Sequence, residues 1–133
     1  MSIDPYVQQL LAAERSGQSL GLKVTSASGG QATAELVVSA EMANGHGVAQ
    51  GGYTFTLADQ AFACAANSLL PGAATAEASI TYLAPAEVGA TLVAEASTFF
   101  VDDRRMVVDV IVRADGREIA LFRGTGRVMR PRV

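Results

Sequence analysis

Between Met42 and Ala76 the chain carries one formal charge, the carboxylate of Asp59. It lies in the segment GGYTFTLADQAFACAANS, whose apolar residues recur with a helical period. At about 100° per residue, Phe55, Asp59, Phe62 and Ala66 fall on one stripe, and Leu57, Ala61, Cys64 and Ala65 face the other way. A helix that is apolar on all sides is a buried helix. A carboxylate on such a helix must be paired, protonated or put to use, because burying it unpaired is expensive. No Lys or Arg lies nearby in sequence to pair with it. Gly51 and Gly52 mark the start of the helix, two turns before Asp59. The helix thus constrains the fold, which must wrap around it, and points to a chemical site.

Composition narrows the classes of function. The chain has 133 residues, half of them apolar and 17% charged, with a mean hydropathy of +0.27. This length suits one domain, spanning 1–133. So much apolar surface on a small chain implies contact with another subunit. A net charge of −3 and a pI near 5.0 argue against nucleic acid as a partner. No uninterrupted apolar run reaches the ~18–20 residues of a membrane span. The segment MSIDPYVQQLLAAERSG lacks the basic and apolar regions of a secretory signal, so the expected location is the cytoplasm. One cysteine, Cys64, and one histidine, His46, leave no internal disulfide and no His-rich metal site.

Asp4 and Pro5 are the N-cap and first position of a short helix with Val7, Leu10 and Leu11 on its apolar face, ending near Ser16-Gly17. Leu20–Ser26 reads as a strand, Ser28-Gly29-Gly30 as a turn and Ala32–Val38 as the second strand of a hairpin. Alternation puts Ala32, Ala34, Leu36 and Val38 on one face. A polar loop over Ala43–Gln50 leads into the central helix, roughly Gly52–Ser68, which Pro71-Gly72 stops. Strands follow at Ala76–Leu83, Thr91–Val101, Arg105–Ala114 and Glu118–Met129, the last three joined by turns at Asp102-Asp103-Arg104 and Asp115-Gly116. One buried helix with five or six antiparallel strands is an α+β layout, a curved antiparallel sheet around a central helix.

A helix N-terminus presents unpaired N–H groups and partial positive charge, and glycine lets a ligand approach closely. Such N–H groups can hold an oxyanion forming from a carbonyl. Asp59 lies about 12 Å from Gly51 along the axis, too far for one helix to serve one carbonyl with both groups. In a two-fold dimer, the glycine end of one helix can meet the Asp of the antiparallel helix of its partner. Blander readings stand beside these. Gly51-Gly52 also suits an ordinary loop-to-helix turn. Asp59 could be satisfied by backbone groups. Asn44 and Gln50 could make local turns, and His46 reads as a loop residue. Cys64 reads as a small core residue rather than a nucleophile. Arg104 and Arg105 suit a solvated turn or a phosphate-contacting pair.

The run Asn44-Gly45-His46-Gly47-Val48-Ala49-Gln50-Gly51-Gly52, then Phe55, Leu57-Ala58-Asp59 and Ala61-Phe62-Ala63, resembles the hotdog-fold acyl-CoA thioesterases. It is most similar to the PaaI branch, the phenylacetic acid degradation thioesterases. Ile80-Thr81-Tyr82-Leu83 with Pro85, and Ala120-Leu121-Phe122-Arg123-Gly124, agree with this. The resemblance implies a helix wrapped by an antiparallel sheet, a homodimer or dimer of dimers, and acyl-CoA bound at the dimer interface. It implies that Asp59 is the nucleophile or general base, that Gly51 donates its N–H to the thioester oxygen, and that Asn44 orients water or the carboxylate. Two positions depart from the family pattern. Gln50 stands where many members have His, and a carboxamide cannot shuttle a proton. Ala84 stands where members often carry Arg, which moves the expected phosphate contacts to Arg104 and Arg105.

The leading expectation is hydrolysis of an acyl-CoA thioester with an aryl or arylacetyl group, with no cofactor beyond the coenzyme A of the substrate. Gly52, Tyr53, Phe55 and Phe62 join the arginines as expected substrate-binding residues. A hotdog hydratase or dehydratase would generally want a His–acid pair, and only the loop His46 is on offer. A non-catalytic acyl-CoA binding module would keep the pocket but not need Asp59.

Overall fold

The computed structural model describes residues 2–129. Helix α1 spans Pro5–Ala13, and the Asp4 carboxylate caps it by accepting from the N–H groups of Tyr6 (2.9 Å) and Val7 (3.3 Å). The chain then differs from the sequence expectation. A second short helix, α2, occupies Ser16–Leu20, so Leu20 is helical and the first strand, β1, begins only at Lys23 (Lys23–Ser28). Gly21 makes the difference: at φ 76° it ends α2 in the left-handed region, with the Leu22 N–H returning to the Gly17 carbonyl at 3.0 Å.

Strand β2 is Gln31–Val37, and the expected face is buried, with Ala32, Ala34, Leu36 and Val38 all 3% exposed or less. Central helix α3 runs Gly51–Leu69. Strands β3 (Ala73–Tyr82), β4 (Thr91–Val101), β5 (Arg105–Ala114) and β6 (Arg117–Val128) follow. β3 starts earlier than its apolar pattern suggests, because the Asn67 side chain ties the helix end to it. Its amide donates to the carbonyls of Ala63 (2.9 Å) and Ala73 (3.1 Å), and its oxygen accepts from the Gly72 N–H (2.9 Å). One sheet in the order β1-β2-β4-β5-β6-β3, antiparallel throughout, curves around α3. Among the described residues no helix is long and apolar enough to cross a membrane.

Alternation along β2, β4, β5 and β6 turns one side of each strand toward α3, filling the core with Leu36, Leu92, Met106, Val108, Val110 and Phe122 among others. The helix sits close to the sheet because its facing residues are small: Ala58, Ala61, Cys64, Ala65 and Ala66 are buried. Leu57 and Phe62 are the exceptions, and β6 makes room for the ring of Phe62 with glycine. A Cβ at Gly124 would stand 2.7 Å from the Phe62 ring, and one at Gly126 would touch the tip of the same ring at 3.4 Å.

The expectation of a helix buried on all sides is corrected by the structure. Gly52 is exposed, and Thr56, Asp59 and Ala63 are half-buried. By helical geometry these four fall within about 60° of one another, a stripe that the sheet does not reach. Phe62 and Ala66, expected on the stripe of Asp59, lie instead in the core at 1% exposure.

The notch in β6 leads to a specific expectation. Gly124→Ala should destabilise the chain by about 1–3 kcal/mol through overpacking. In a Phe62→Leu background the same change should cost less, because the ring it strikes is gone. Urea denaturation of the four proteins checks this, and purely additive effects would contradict the notch.

Candidate active site

Asp59 lies on the uncovered stripe of α3, near its middle. Among the described residues its carboxylate accepts no hydrogen bond and forms no ion pair. Burial without compensation holds its pKa above the ordinary carboxylate range. The position therefore produces a carboxylate that is more basic than usual and has free lone pairs.

The N-terminus of α3 is open in a complementary way. The Gln50 side chain, at the N-cap, makes no capping hydrogen bond. The N–H groups of Gly51 and Gly52 find no acceptor among the described residues. Tyr82, at the end of β3, reaches across and donates its hydroxyl to the Gly51 carbonyl at 2.8 Å. Burial raises the pKa of this phenol, so it stays a donor at neutral pH. A Cβ at Gly51 would meet the Tyr82 ring at 2.9 Å, so the close approach needs glycine there. The Gly51 carbonyl shares its peptide plane with the Gly52 N–H, and a hydrogen bond to one end of a peptide polarises the other. Gly51, Thr54, Tyr82, Ala84 and Pro85 border a cleft of about 440 Å³ at this helix end. Asp59 is not part of its wall.

The loop before α3 is held by Asn44. Its side-chain oxygen accepts from the N–H groups of His46 (2.9 Å) and Val48 (3.4 Å), so that oxygen is committed to the turn, while its NH2 group donates no hydrogen bond among the described residues. Gln50 is exposed at the mouth of the helix. His46 is exposed as well, and its ring has no partner among the described residues.

Tyr53 and Phe55 are half-buried, and Phe55 meets Phe122 edge-on with ring centres 5.3 Å apart. Phe62, expected as a substrate contact, is a core side chain at 1% exposure, its ring occupied by the β6 notch. Cys64 is buried, and burial, with the Glu14 carboxylate adding to it, pushes its thiol up to about 12. Such a thiol is inert at neutral pH, as its reading as a core residue implies.

Arg104 and Arg105 lie on the β4–β5 turn, which the Asp102 carboxylate organises by accepting from both backbone N–H groups (2.9 and 2.6 Å). Arg105 is itself paired with Asp102 at 3.2 Å, whereas Arg104 has no ion-pair partner among the described residues. Arg127, opposite Arg105 in the β5–β6 register, joins them around a cleft of about 310 Å³ that Asp102 and Asp103 also border. Sequence reasoning missed Arg127 and Tyr82 as site neighbours. Folding the hairpin about Asp115-Gly116 and allowing for one bulge would have placed Arg127 beside Arg105. Nothing local to Tyr82 signals its reach to Gly51.

The family model described as Thioesterase superfamily matches residues 46–120, from the loop through α3 to the start of β6. The chain belongs to the thioesterase superfamily. The acyl-coenzyme A thioesterase PaaI of Escherichia coli K12 is 38% identical over 108 residues, covering 80% of this chain and 77% of that protein. The solved E. coli PaaI structure, from the phenylacetic acid degradation operon, matches with a TM-score of 0.89 at 31% identity over 97% of both chains. A Streptococcus mutans UA159 protein bound to acetyl CoA matches at a TM-score of 0.76 and 30% identity, over 84% of this chain and 91% of that one. These findings bear out the hotdog fold and the PaaI resemblance read from the loop–helix motif. In this thioesterase-superfamily chain the motif forms the open helix end and the half-buried carboxylate together.

The raised pKa of Asp59 makes a prediction with a definite sign. A carboxyl whose folded pKa is raised favours the fold when protonated, and that contribution is lost as pH climbs through the folded value. Asp59→Asn should therefore melt at a higher temperature than the parent at about pH 7, with the gap narrowing as pH falls toward about 4. Thermal melts across this range check it. A less stable Asn variant at neutral pH would mean that the carboxylate has a partner.

Proposed function

We propose that two copies of this chain together hydrolyse an acyl-CoA thioester, with an aryl or arylacetyl group as the favoured acyl part. The single observation that carries this reading is Asp59, a desolvated carboxylate without a partner among the described residues, on a helix stripe that those residues leave uncovered. The Gly51 N–H lies about 12 Å up the same helix, so one chain cannot bring both to one thioester. An antiparallel helix from a second copy would set its Asp59 against this Gly51.

Two features support a homodimer or dimer of dimers. Among the described residues β3 pairs only with β6, and its other edge, ten residues long, carries a single charge, Glu77. An open edge with so little protection favours pairing with another strand. Tyr82 and Leu83, at the end of that edge, are about half exposed beside the Gly51 cleft (50% and 51%).

In the proposed site the thioester oxygen is received by the Gly51 N–H at the positive end of α3, which stabilises charge as the carbonyl becomes tetrahedral. Asp59 of the second copy either takes a proton from the attacking water or attacks directly. Attack gives an enzyme–acyl anhydride and releases the CoA thiolate, and water then cleaves the anhydride to free acid. Gln50, at the mouth, positions the thioester or water by hydrogen bonds without moving a proton. The free amide of Asn44 is available for the same task. Gly52, Tyr53 and Phe55 border the substrate, and Arg104, with Arg105 and Arg127, faces the CoA phosphates.

The test is a thiol-release assay over a panel of acyl-CoAs. Phenylacetyl-CoA and benzoyl-CoA should give higher kcat/KM than acetyl-CoA or palmitoyl-CoA. Asp59→Asn should lower kcat by about 100-fold or more, the scale of a general base or nucleophile. The Arg104→Ala/Arg127→Ala double variant should raise KM more than it lowers kcat, and less at high salt. Activity of Asp59→Asn within a few fold of the parent would sink the assignment, and palmitoyl-CoA as best substrate would remove the aryl preference.

A further inference from the structure

The two glycines that open α3 are not interchangeable. At Gly51 the chain itself accounts for the glycine, since a Cβ there would meet the Tyr82 ring and hydroxyl at 2.9 Å. At Gly52 it does not. Gly52 is exposed in the first turn of α3, without a positive φ, and a Cβ there would meet no atom within 4 Å among the described residues. Glycine inside a helix is less favourable than alanine, and it is used where something must come close to the backbone. Nothing among the described residues comes close to Gly52, so what needs the room lies outside them.

Gly52 also carries a donor without an acceptor. Of the first three N–H groups of α3, that of Tyr53 is spent on the Gln50 carbonyl at 3.0 Å, and those of Gly51 and Gly52 remain free among the described residues. Consecutive N–H groups in a first helical turn point toward the N-terminus together and can meet at one oxygen. The Gly52 N–H differs from its neighbour in what stands behind it. It belongs to the peptide whose carbonyl, that of Gly51, accepts the Tyr82 hydroxyl at 2.8 Å. Thr54 borders the same cleft as Gly51 and Tyr82. It is 3% exposed, and its hydroxyl makes no hydrogen bond among the described residues. Among these residues no fully sealed side-chain N or O atom lacks a partner, so this hydroxyl opens on the cleft, where a polar ligand atom can meet it.

We propose that the Gly52 N–H is a second donor to the thioester oxygen, beside that of Gly51, and that Tyr82 is the positioning residue that strengthens it. The proposal rests on the thioesterase reading and extends its single donor to a pair. As the carbonyl becomes tetrahedral, negative charge gathers on its oxygen. The Tyr82 hydroxyl, bonded to the far end of the same peptide, makes the Gly52 N–H a better donor to that charge. It also ties the first turn of α3 to the end of β3, which holds both N–H groups in one direction. The ground-state thioester carries less charge on its oxygen, so the gain falls mainly on the transition state.

Tyr82→Phe keeps the ring and removes the hydroxyl. It should lower kcat for phenylacetyl-CoA by about 10-fold, short of the roughly 100- to 1,000-fold of losing a donor outright, and leave KM within about twofold. Gly52→Ala should raise the melting temperature by a few degrees, because alanine suits a helix, while lowering kcat/KM by crowding the donor. A spectroscopic readout separates polarisation from mere support of the helix end. In Asp59→Asn, infrared difference spectra of bound phenylacetyl-CoA, isotope-labelled at the thioester carbon, should show the carbonyl stretch moved to lower wavenumber, and moved less when Tyr82→Phe is added. A carbonyl shift indifferent to Tyr82→Phe would overturn the proposal, whether or not kcat falls. A Gly52→Ala protein that loses stability along with activity would mean that a second copy packs at Gly52, and would overturn its role as a donor. A carbonyl shift that depends on Tyr82, in a protein whose parent form cleaves no thioester, would keep the donor pair and overturn the hydrolytic reading instead.

Discussion

A carboxylate that is half-buried, with no cation or donor beside it, keeps its place only because the packing around it is worth more than its lost hydration. Among the described residues, Asp59 is in that position. The cost is tolerable because the helix that carries it is seated firmly. Small side chains let α3 lie close to the sheet, and the one large ring on its buried side, Phe62, enters a space that Gly124 and Gly126 leave open on β6. Remove that seat and nothing else would hold an unpaired carboxylate at fixed depth.

The same close seating leaves a stripe uncovered. A single curved sheet reaches only part of a helix's circumference, and here the uncovered part runs through Gly52, Thr56, Asp59 and Ala63. The functional features gather along or beside it. The open N–H groups of Gly51 and Gly52 mark one end and Asp59 the middle. Tyr82 links the open end to β3, the strand whose outer edge is unpaired. The proposed site and the proposed assembly are in this way tied to one packing arrangement.

The strands, the central helix and the Asp59 carboxylate were legible because each rests on local periodicity. β4 and β5 run over the expected residues, and the buried face of β2 follows strict alternation. The errors arose where a long-range contact decides. Depth around α3 could not be read from the helix alone, since Phe62 and Phe55 look alike in sequence and only the glycines of β6 separate core from half-buried surface. The start of β3 depends on Asn67, whose side chain donates to the Ala73 carbonyl of the strand and accepts from the Gly72 N–H just before it, while also bonding the Ala63 carbonyl of its own helix. The helix Ser16–Leu20 is too short to show a helical period, and Gly21, its left-handed stop, is the one local signal for it. Tyr82 acts through a contact with Gly51, far away in sequence, and no local pattern marks it.

The central claim is that one chain supplies the helix end and another the carboxylate. Subunit mixing tests it most directly. Asp59→Asn removes the carboxylate. Gly51→Pro removes the N–H and also displaces the Tyr82 ring packed against it, which disables that helix end; the backbone tolerates proline at the first helical position, since Gln50 before it already has extended backbone (φ −57°, ψ 133°). Each variant alone should be inactive. After dissociation and random reassociation of equal amounts, half the dimers are mixed, and each mixed dimer has one site with both groups intact, so about a quarter of the parent activity should return. If the two groups act within one chain, every site in every dimer lacks one of them, and no activity returning on mixing would contradict the account.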